Sequence, residues 1–131
     1  MAEHPDCTLV RRSYEAFARG DLDALAGLMT ADVTHHVPGE SSISGHHKGR
    51  EACAQLYRRL GELSGGTLRA ELETLLADGR GHVISVHRRR AERDDIGIDM
   101  KIGMFFTIVG RKISDIDECS EDIDTSNTFW R

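Results

Sequence analysis

The order of local signals in residues 14–51 constrains the fold more than any other feature of this chain. An amphipathic helix ends at Gly20, because glycine adopts the left-handed conformation that closes a helix, and Asp21 can cap the helix that follows. Leucines then recur at helical spacing until a polar break, and a short strand opens at Val33. This stretch predicts helix, helix, short strand, loop and helix.

The remaining sequence predicts a third helix and four long strands. Residues 49–63 carry one apolar stripe at spacings of three and four. From Thr67 the apolar period changes to two, and alternating segments follow at 83–93, 100–108 and 113–123. These elements predict an α+β fold, in which three N-terminal helices pack on a strongly curved antiparallel sheet that encloses a pocket.

Length and composition exclude several classes of protein. A chain of 131 residues predicts a single domain over residues 1–131. It has no apolar run that could span a bilayer and no secretory signal pattern, and its three cysteines are scattered, so we expect a cytoplasmic protein with free thiols and no membrane partner. The net charge of −5 argues against nucleic acid as a partner.

Strand alternation selects the polar residues that should face the pocket. If the apolar residues of each strand face the core, a small set of polar residues on the same faces also points inward. A shift of one residue in this assignment would point them outward instead. The residues predicted to face the pocket are His35, His87, Arg89 and Glu118, together with the apolar Met104 and Phe106.

Two of these groups are candidates for acid–base chemistry. Loss of hydration among apolar neighbours should raise the pKa of Glu118 into a range useful for a general base or acid. The alternative is a solvated acid within an acidic run. His35 and His36 are adjacent on a strand, so one faces inward, where an imidazole can shuttle a proton. A hydrogen-bonded core or rim histidine is the other interpretation.

Other polar residues favour structural roles. Of the arginines near Arg89, we expect most to pair with acids such as Glu71 on the sheet surface. Tyr14 and Tyr57 could donate a hydrogen bond to a ligand carbonyl, although both lie on apolar helical stripes and packing is the alternative.

The histidines near the first strand invite a zinc hypothesis. His35, His36, His46 and His47 are close in sequence. They lack the paired spacing typical of zinc sites, and no phosphate loop or dinucleotide fingerprint is present. We therefore expect neither a metal nor a cofactor.

Several segments resemble a known family when they are taken in order. They are YEAFARGDLDALAGLMTADV, HVPG with SGHHKGRE following, GTLRAELETLLADG, VHRRRAERD and EDIDTSNTFW. Together they resemble the SnoaL-like branch of the nuclear transport factor 2 superfamily, which also contains ketosteroid isomerases. The resemblance implies a cone-shaped fold around a pocket, and it implies much less about chemistry.

The resemblance also locates positions where the catalytic residues of ketosteroid isomerases would fall. Their tyrosine falls at Ser13, with Tyr14 one place away, and their base aspartate falls at Val37. Their buried protonated aspartate falls near Met104. Because all three are replaced, steroid isomerisation by the same groups is disfavoured. SnoaL-type cyclases match best, with a last-strand acid that Glu118 most nearly matches.

These observations lead to one leading function and two alternatives. The leading function is a cofactor-independent acid–base isomerase or cyclase that acts on an apolar, carbonyl-bearing or polyketide-like ligand. A non-catalytic ligand-binding or dimerising domain is the first alternative, and an epoxide hydrolase or dehydratase of the same fold is the second. We also expect a homodimer through the outer sheet face, since an uncovered face tends to be buried against a partner.

The predicted site divides into two groups of residues. Catalytic roles are predicted for Glu118, His35 and His87. Asp122 resembles the terminal acid of the family, with helix capping or salt bridging as the alternative. Ligand contacts are predicted for Arg89, Met104, Phe106, Val37, Tyr14 and Asp122.

Overall fold

Four helices and six strands follow one another in residues 3–131, the part of the chain that the computed structural model describes. The helices are α1 (Pro5–Ala18), α2 (Leu22–Gly27), α3 (Arg50–Leu63) and α4 (Ile123–Phe129). The strands are β1 (Met29–Val37), β2 (Gly45–Lys48), β3 (Arg69–Ala77), β4 (His82–Arg93), β5 (Ile96–Val109) and β6 (Lys112–Ser120).

The break between the first two helices forms as predicted. Gly20 adopts a φ of 69° directly after α1, in the left-handed region that glycine tolerates. The Asp21 side chain accepts a hydrogen bond from the Ala24 backbone N–H at 3.0 Å and so caps α2. This tight break allows α2 to lead directly into β1.

All six strands form one sheet with the order β2-β1-β6-β5-β4-β3. The predicted α+β class and curved sheet are confirmed, but the sheet is not antiparallel throughout, because β1 runs parallel to β6. The segment predicted as a loop after β1 contains β2, which pairs antiparallel with β1 along its other edge. A short C-terminal helix, α4, also joins the three predicted helices.

A bulge in β3 reverses the predicted alternation of this strand. The pairing of β3 with β4 shifts register between Leu72 and Thr74, and a bulge of one residue moves the following side chains to the opposite face. Leu75 is therefore packed against the core, while Leu76, predicted to face inward, is 61% exposed. Periodicity alone gave no sign of this shift.

Helices α1 and α3 cover the concave face of the sheet. Helix α3 packs against β1, and α1 packs against β3 and β4. Trp130, which follows α4, is fully buried, and its carbonyl accepts a hydrogen bond from the backbone N–H of Ser42 at 3.1 Å. Arg93 donates from Nη1 to the carbonyl oxygens of Phe129 and Arg131, each at 2.9 Å. The chain terminus is thereby held against the sheet.

The outer face of the sheet carries ion pairs beside an exposed apolar row. Arg90 pairs with Glu71 at 3.2 Å and Arg88 pairs with Asp99 at 2.7 Å, as predicted for the arginines around Arg89. The exposed side chains of three neighbouring strands lie opposite one another by register. This outer row consists of Leu76, Ile84 and Phe105.

Within residues 3–131, each helix is too short or too polar to cross a bilayer.

Candidate functional site

A cavity of about 540 Å³, its open mouth included, lies between the concave face of the sheet and helices α1 and α3. Its walls are mainly apolar, and a few polar groups converge in it. It is lined by Ser13, Tyr14, Phe17, Leu25, Met29, His35, Tyr57, Leu60, Leu68, Ala70, His87, Arg89, Met104, Phe106, Ile116 and Glu118.

Most of the residues predicted for the site meet in this cavity. The strand phasing therefore selected the inner face correctly. The predicted residues among the lining are His35, His87, Arg89, Glu118, Met104, Phe106 and Tyr14.

Val37 and Asp122, in contrast, lie outside the cavity, which corrects their predicted ligand contacts. Val37 is buried in the hydrophobic core at the end of β1. Asp122 is the N-cap of α4, where its carboxylate accepts hydrogen bonds from the backbone N–H of Thr125 at 3.1 Å and from the Thr125 hydroxyl at 2.7 Å. Hydrogen bonds from Thr125 lower the pKa of this exposed acid, so its role is capping.

A chain of four polar side chains crosses one side of the cavity. His35 lies between two of them: its Nε2 is 2.8 Å from Glu118 Oε1, and its Nδ1 is 2.8 Å from the Tyr57 hydroxyl. Arg89 donates from Nη2 to the same Glu118 oxygen at 3.4 Å. All four residues are buried, so the network is closed off from solvent screening. We call it the Glu118 network.

The charge state of Glu118 differs from the predicted one. Burial alone would raise the pKa of Glu118, as the sequence suggested. The positive charge of Arg89 and the hydrogen bond from His35 together outweigh burial and lower this pKa to about 2. The predicted rise is therefore wrong, and Glu118 is an ionised carboxylate at neutral pH.

A second cluster lies on the same inner face and contains only neutral groups. The Tyr14 hydroxyl is 2.6 Å from His87 Nδ1 and 2.8 Å from Ser85 Oγ. Burial and the nearby positive charge of Arg89 lower the pKa of His87 to about 3. Burial also raises the pKa of Tyr14 to about 12. We call this set the Tyr14 cluster.

Tyr57 and Ser85 were not among the predicted site residues. Tyr57 lies on the apolar stripe of α3, where packing was the expected role, and it does contact the core. Burial raises the pKa of Tyr57 well above its usual value, so the hydroxyl stays protonated. Its hydrogen bond to His35 depends on the angle at which α3 crosses β1. The apolar periodicity of α3 does not predict that angle. Ser85 lies on the predicted inner face of β4, and this alternation is the one signal that could have identified it.

The histidines that suggested zinc are engaged elsewhere. On the outer face, His36 Nδ1 is 2.8 Å from Asp117 and its ring stacks on His46 at 4.3 Å. His47 Nε2 donates to the Ile43 carbonyl at 2.8 Å. Among residues 3–131, no three histidine, cysteine or acidic side chains are grouped to hold a metal ion.

The neutral state of buried His87 predicts a loss of stability in mild acid. The unfolded chain protonates this residue near its usual pKa of 6.5, whereas the folded protein does so only near 3. Stability should therefore fall as pH falls through this window, by up to about 1.4 kcal/mol per pH unit. When the pH is lowered from 7 to 5, the free energy of unfolding measured in urea should fall by up to about 2 kcal/mol more for wild type than for His87→Asn.

The variant His46→Asn serves as the control, since His46 lies on the exposed outer face. It should keep the pH dependence of wild type. Equal losses in wild type and His87→Asn would show that His87 is not held neutral by its surroundings.

Comparisons with known proteins place the chain among relatives of one family. The model of the SnoaL-like domain matches residues 10–116. An uncharacterized protein of Mycobacterium tuberculosis, Rv0034, is 32% identical over 130 residues, which cover 99% of each chain.

Solved structures agree with this assignment. Bal32a, from a soil-derived mobile gene cassette, shares 36% identity and superposes with a TM-score of 0.94 over 97% of each chain. A putative polyketide cyclase from Xanthomonas campestris shares 19% identity with a TM-score of 0.75 over 97% of each chain, which shows a common fold. The matched family model and the relatives at more than 30% identity show that this chain belongs to the SnoaL-like domain family.

Proposed function

We propose that the protein is a cofactor-independent acid–base enzyme of the isomerase or cyclase type. The observation that carries this proposal is the Glu118 network, because it places an imidazole between a carboxylate and a hydroxyl at the wall of an apolar cavity. Proton transfer by a positioned side chain contributes about 10²- to 10⁴-fold to a reaction rate.

Each member of the network has a role in this proposal. The ionised Glu118 fixes the orientation of His35, as a carboxylate does for histidine in a catalytic triad. His35 accepts or returns the proton. Tyr57 is a lining residue with its hydroxyl 2.8 Å from His35 Nδ1, and it passes that proton between the ligand and the imidazole.

The lining supports an apolar ligand with an oxygen function. Residues such as Phe17, Met104 and Ile116 surround the polar groups and favour a hydrocarbon body. In the exchange step, the Tyr57 oxygen takes a proton from the carbon next to a ligand carbonyl as its own hydroxyl proton passes to His35 Nδ1, which leaves an enolate and a protonated imidazole; the reverse transfer returns a proton to that carbon. We extend the proposal to polyketide-like ligands on the basis of the fold shared with putative polyketide cyclases.

Two alternatives receive less support from the lining. A cavity lined only by apolar side chains would favour binding without turnover, whereas His35, His87, Arg89 and Glu118 converge here. The epoxide hydrolases of this fold use an Asp-Arg-Asp constellation, and the described lining holds Glu118 as its single carboxylate. The convergence of titratable groups therefore favours acid–base catalysis.

Proton exchange on a simple ketone provides a test that does not need the natural substrate. We expect wild type to accelerate deuterium incorporation at the α-carbons of 2-tetralone in D₂O, followed by NMR. Glu118→Gln and His35→Gln should each slow this exchange by about 100-fold. Because the two residues act as a unit, the double variant should be no slower than either single variant.

The outer face of the same strands offers matched controls. His36 and Asp117 form a similar pair at 2.8 Å, one residue from His35 and Glu118, but on the exposed side. His36→Gln and Asp117→Asn should exchange 2-tetralone protons at the wild-type rate. Full activity in a folded Glu118→Gln variant, judged by circular dichroism, would contradict the proposed role.

We also propose that two copies of the chain associate through the outer sheet face. The support is the outer row, in which Leu76, Ile84 and Phe105 are 61%, 42% and 43% exposed and lie side by side on three strands. Burying such a row against an identical row removes apolar surface from water on both copies.

Light scattering at micromolar concentration tests this association. Wild type should show twice the chain mass, and Phe105→Asp should show the mass of one chain, because a charge within the row would be buried without a partner. Ile96→Asp, at the other end of β5, should remain a dimer. A wild-type monomer would rule the interface out.

A further inference from the structure

Two buried polar atoms of the cavity have no hydrogen-bond partner in the described part of the chain. They are His87 Nε2 and Arg89 Nε, on side chains that line the cavity. These residues are only 1% and 5% exposed. A buried donor without a partner destabilises the folded protein, so two of them in one cavity require an explanation.

The hydrogen bonds of the Tyr14 cluster determine which proton His87 carries. If His87 is protonated at Nε2, Ser85 donates to the Tyr14 oxygen and Tyr14 donates to Nδ1, which leaves only the Nε2 proton unpaired. If His87 is protonated at Nδ1, Tyr14 must donate to Ser85, and the Ser85 proton is left without an acceptor as well. The first arrangement satisfies more groups, so Nε2 is a donor.

Arg89 presents a donor of the same kind. Its guanidinium is always protonated, and Nε therefore carries a hydrogen. The contact to Glu118 uses Nη2 and leaves Nε free. The described lining of the cavity thus contains two buried N–H donors without a partner.

The two donors belong to neighbouring positions on one face of β4. Residues two apart on a strand point to the same side, with Cα atoms about 7 Å apart. Both side chains therefore reach into one part of the cavity, between the Glu118 network and the Tyr14 cluster.

The two N–H donors at this position, rather than a net charge, favour an oxygen that carries or develops negative charge. His87 is neutral at pH 7 because burial lowers its pKa, and the Arg89 charge is balanced by Glu118. Fixed donors in a water-poor cavity stabilise an oxyanion without reorganising, as in an oxyanion hole.

We infer that His87 Nε2 and Arg89 Nε together bind an oxyanion of the ligand, such as an enolate or a carboxylate. The inference rests on the proposed function for the apolar body of that ligand, and it adds the chemical class of the polar group. His87 then acts as a hydrogen-bond donor that positions the ligand, whereas proton transfer belongs to His35.

Binding of two matched probes tests this inference without turnover. We expect 2-naphthoate to bind the wild-type protein at least about tenfold more tightly than naphthalene in calorimetric titration, since one good hydrogen bond is equivalent to about that factor. The two probes share the same apolar body and differ by the carboxylate.

Substitutions at His87 separate its two ring nitrogens. Asparagine keeps a polar atom near the position of Nδ1, which meets Tyr14, but it has none at Nε2, whereas glutamine places an amide near Nε2. His87→Asn should weaken 2-naphthoate binding about tenfold and leave naphthalene unchanged, while His87→Gln should retain most of the affinity for 2-naphthoate. Arg89→Gln should also weaken 2-naphthoate binding. Arg88→Gln, which changes a residue on the outer face, should not.

Equal affinity of wild type for the two probes, or no binding of 2-naphthoate at all, would overturn the inference. So would unchanged 2-naphthoate binding in folded His87→Asn and Arg89→Gln variants. These outcomes are independent of the proposed acid–base function, which the 2-tetralone exchange of wild type and Glu118→Gln decides. A protein that exchanges 2-tetralone protons but does not distinguish the two probes would keep the proposed function and lose the oxyanion site.

Discussion

A buried carboxylate at the wall of an apolar cavity can stay ionised only if positive charge and hydrogen bonds replace the water it has lost. Glu118 meets this condition through Arg89 and His35, which both contact its Oε1. The three residues come from β6, β4 and β1, so the sheet must hold these strands in register for the charge to be tolerated. Stability and chemistry therefore depend on the same contacts.

The two polar clusters differ in charge, so the two sides of the cavity offer a ligand different surroundings. The Glu118 network is charged and ends at a hydroxyl that can move a proton. The Tyr14 cluster is neutral, because burial disfavours both the imidazolium of His87 and the phenolate of Tyr14. In the function that we propose, proton transfer on one side and hydrogen-bond donation on the other suit a ligand whose carbonyl becomes an enolate during reaction. The apolar walls around both clusters keep these interactions strong.

Strand alternation predicted much of the fold and six of the residues that line the cavity, since the phasing of β4, β5 and β6 follows apolar faces that are buried. Two features of the sheet depend on contacts between distant segments: the bulge that reverses the alternation of β3, and the parallel pairing of β1 with β6. Local periodicity does not predict such contacts. The pKa of Glu118 was predicted in the wrong direction for the same reason: burial is visible in the sequence, whereas the approach of Arg89 is not. The sequence offered Tyr57 as a possible hydrogen-bond donor but not its contact with His35, because an apolar stripe does not show which side chain it will meet.

The ionised state of Glu118 is the central claim, and NMR can measure it directly. The side-chain carboxyl carbon of Glu118, assigned by its absence in Glu118→Gln, can be followed in ¹³C-labelled protein from pH 7 to the onset of acid unfolding. We predict that the signal remains that of a carboxylate below pH 4.5, the usual pKa of glutamate, because the pKa of Glu118 is lowered to about 2. Protonation of Glu118 above pH 4.5 in the folded protein would show that burial outweighs Arg89 and His35, and it would contradict the account.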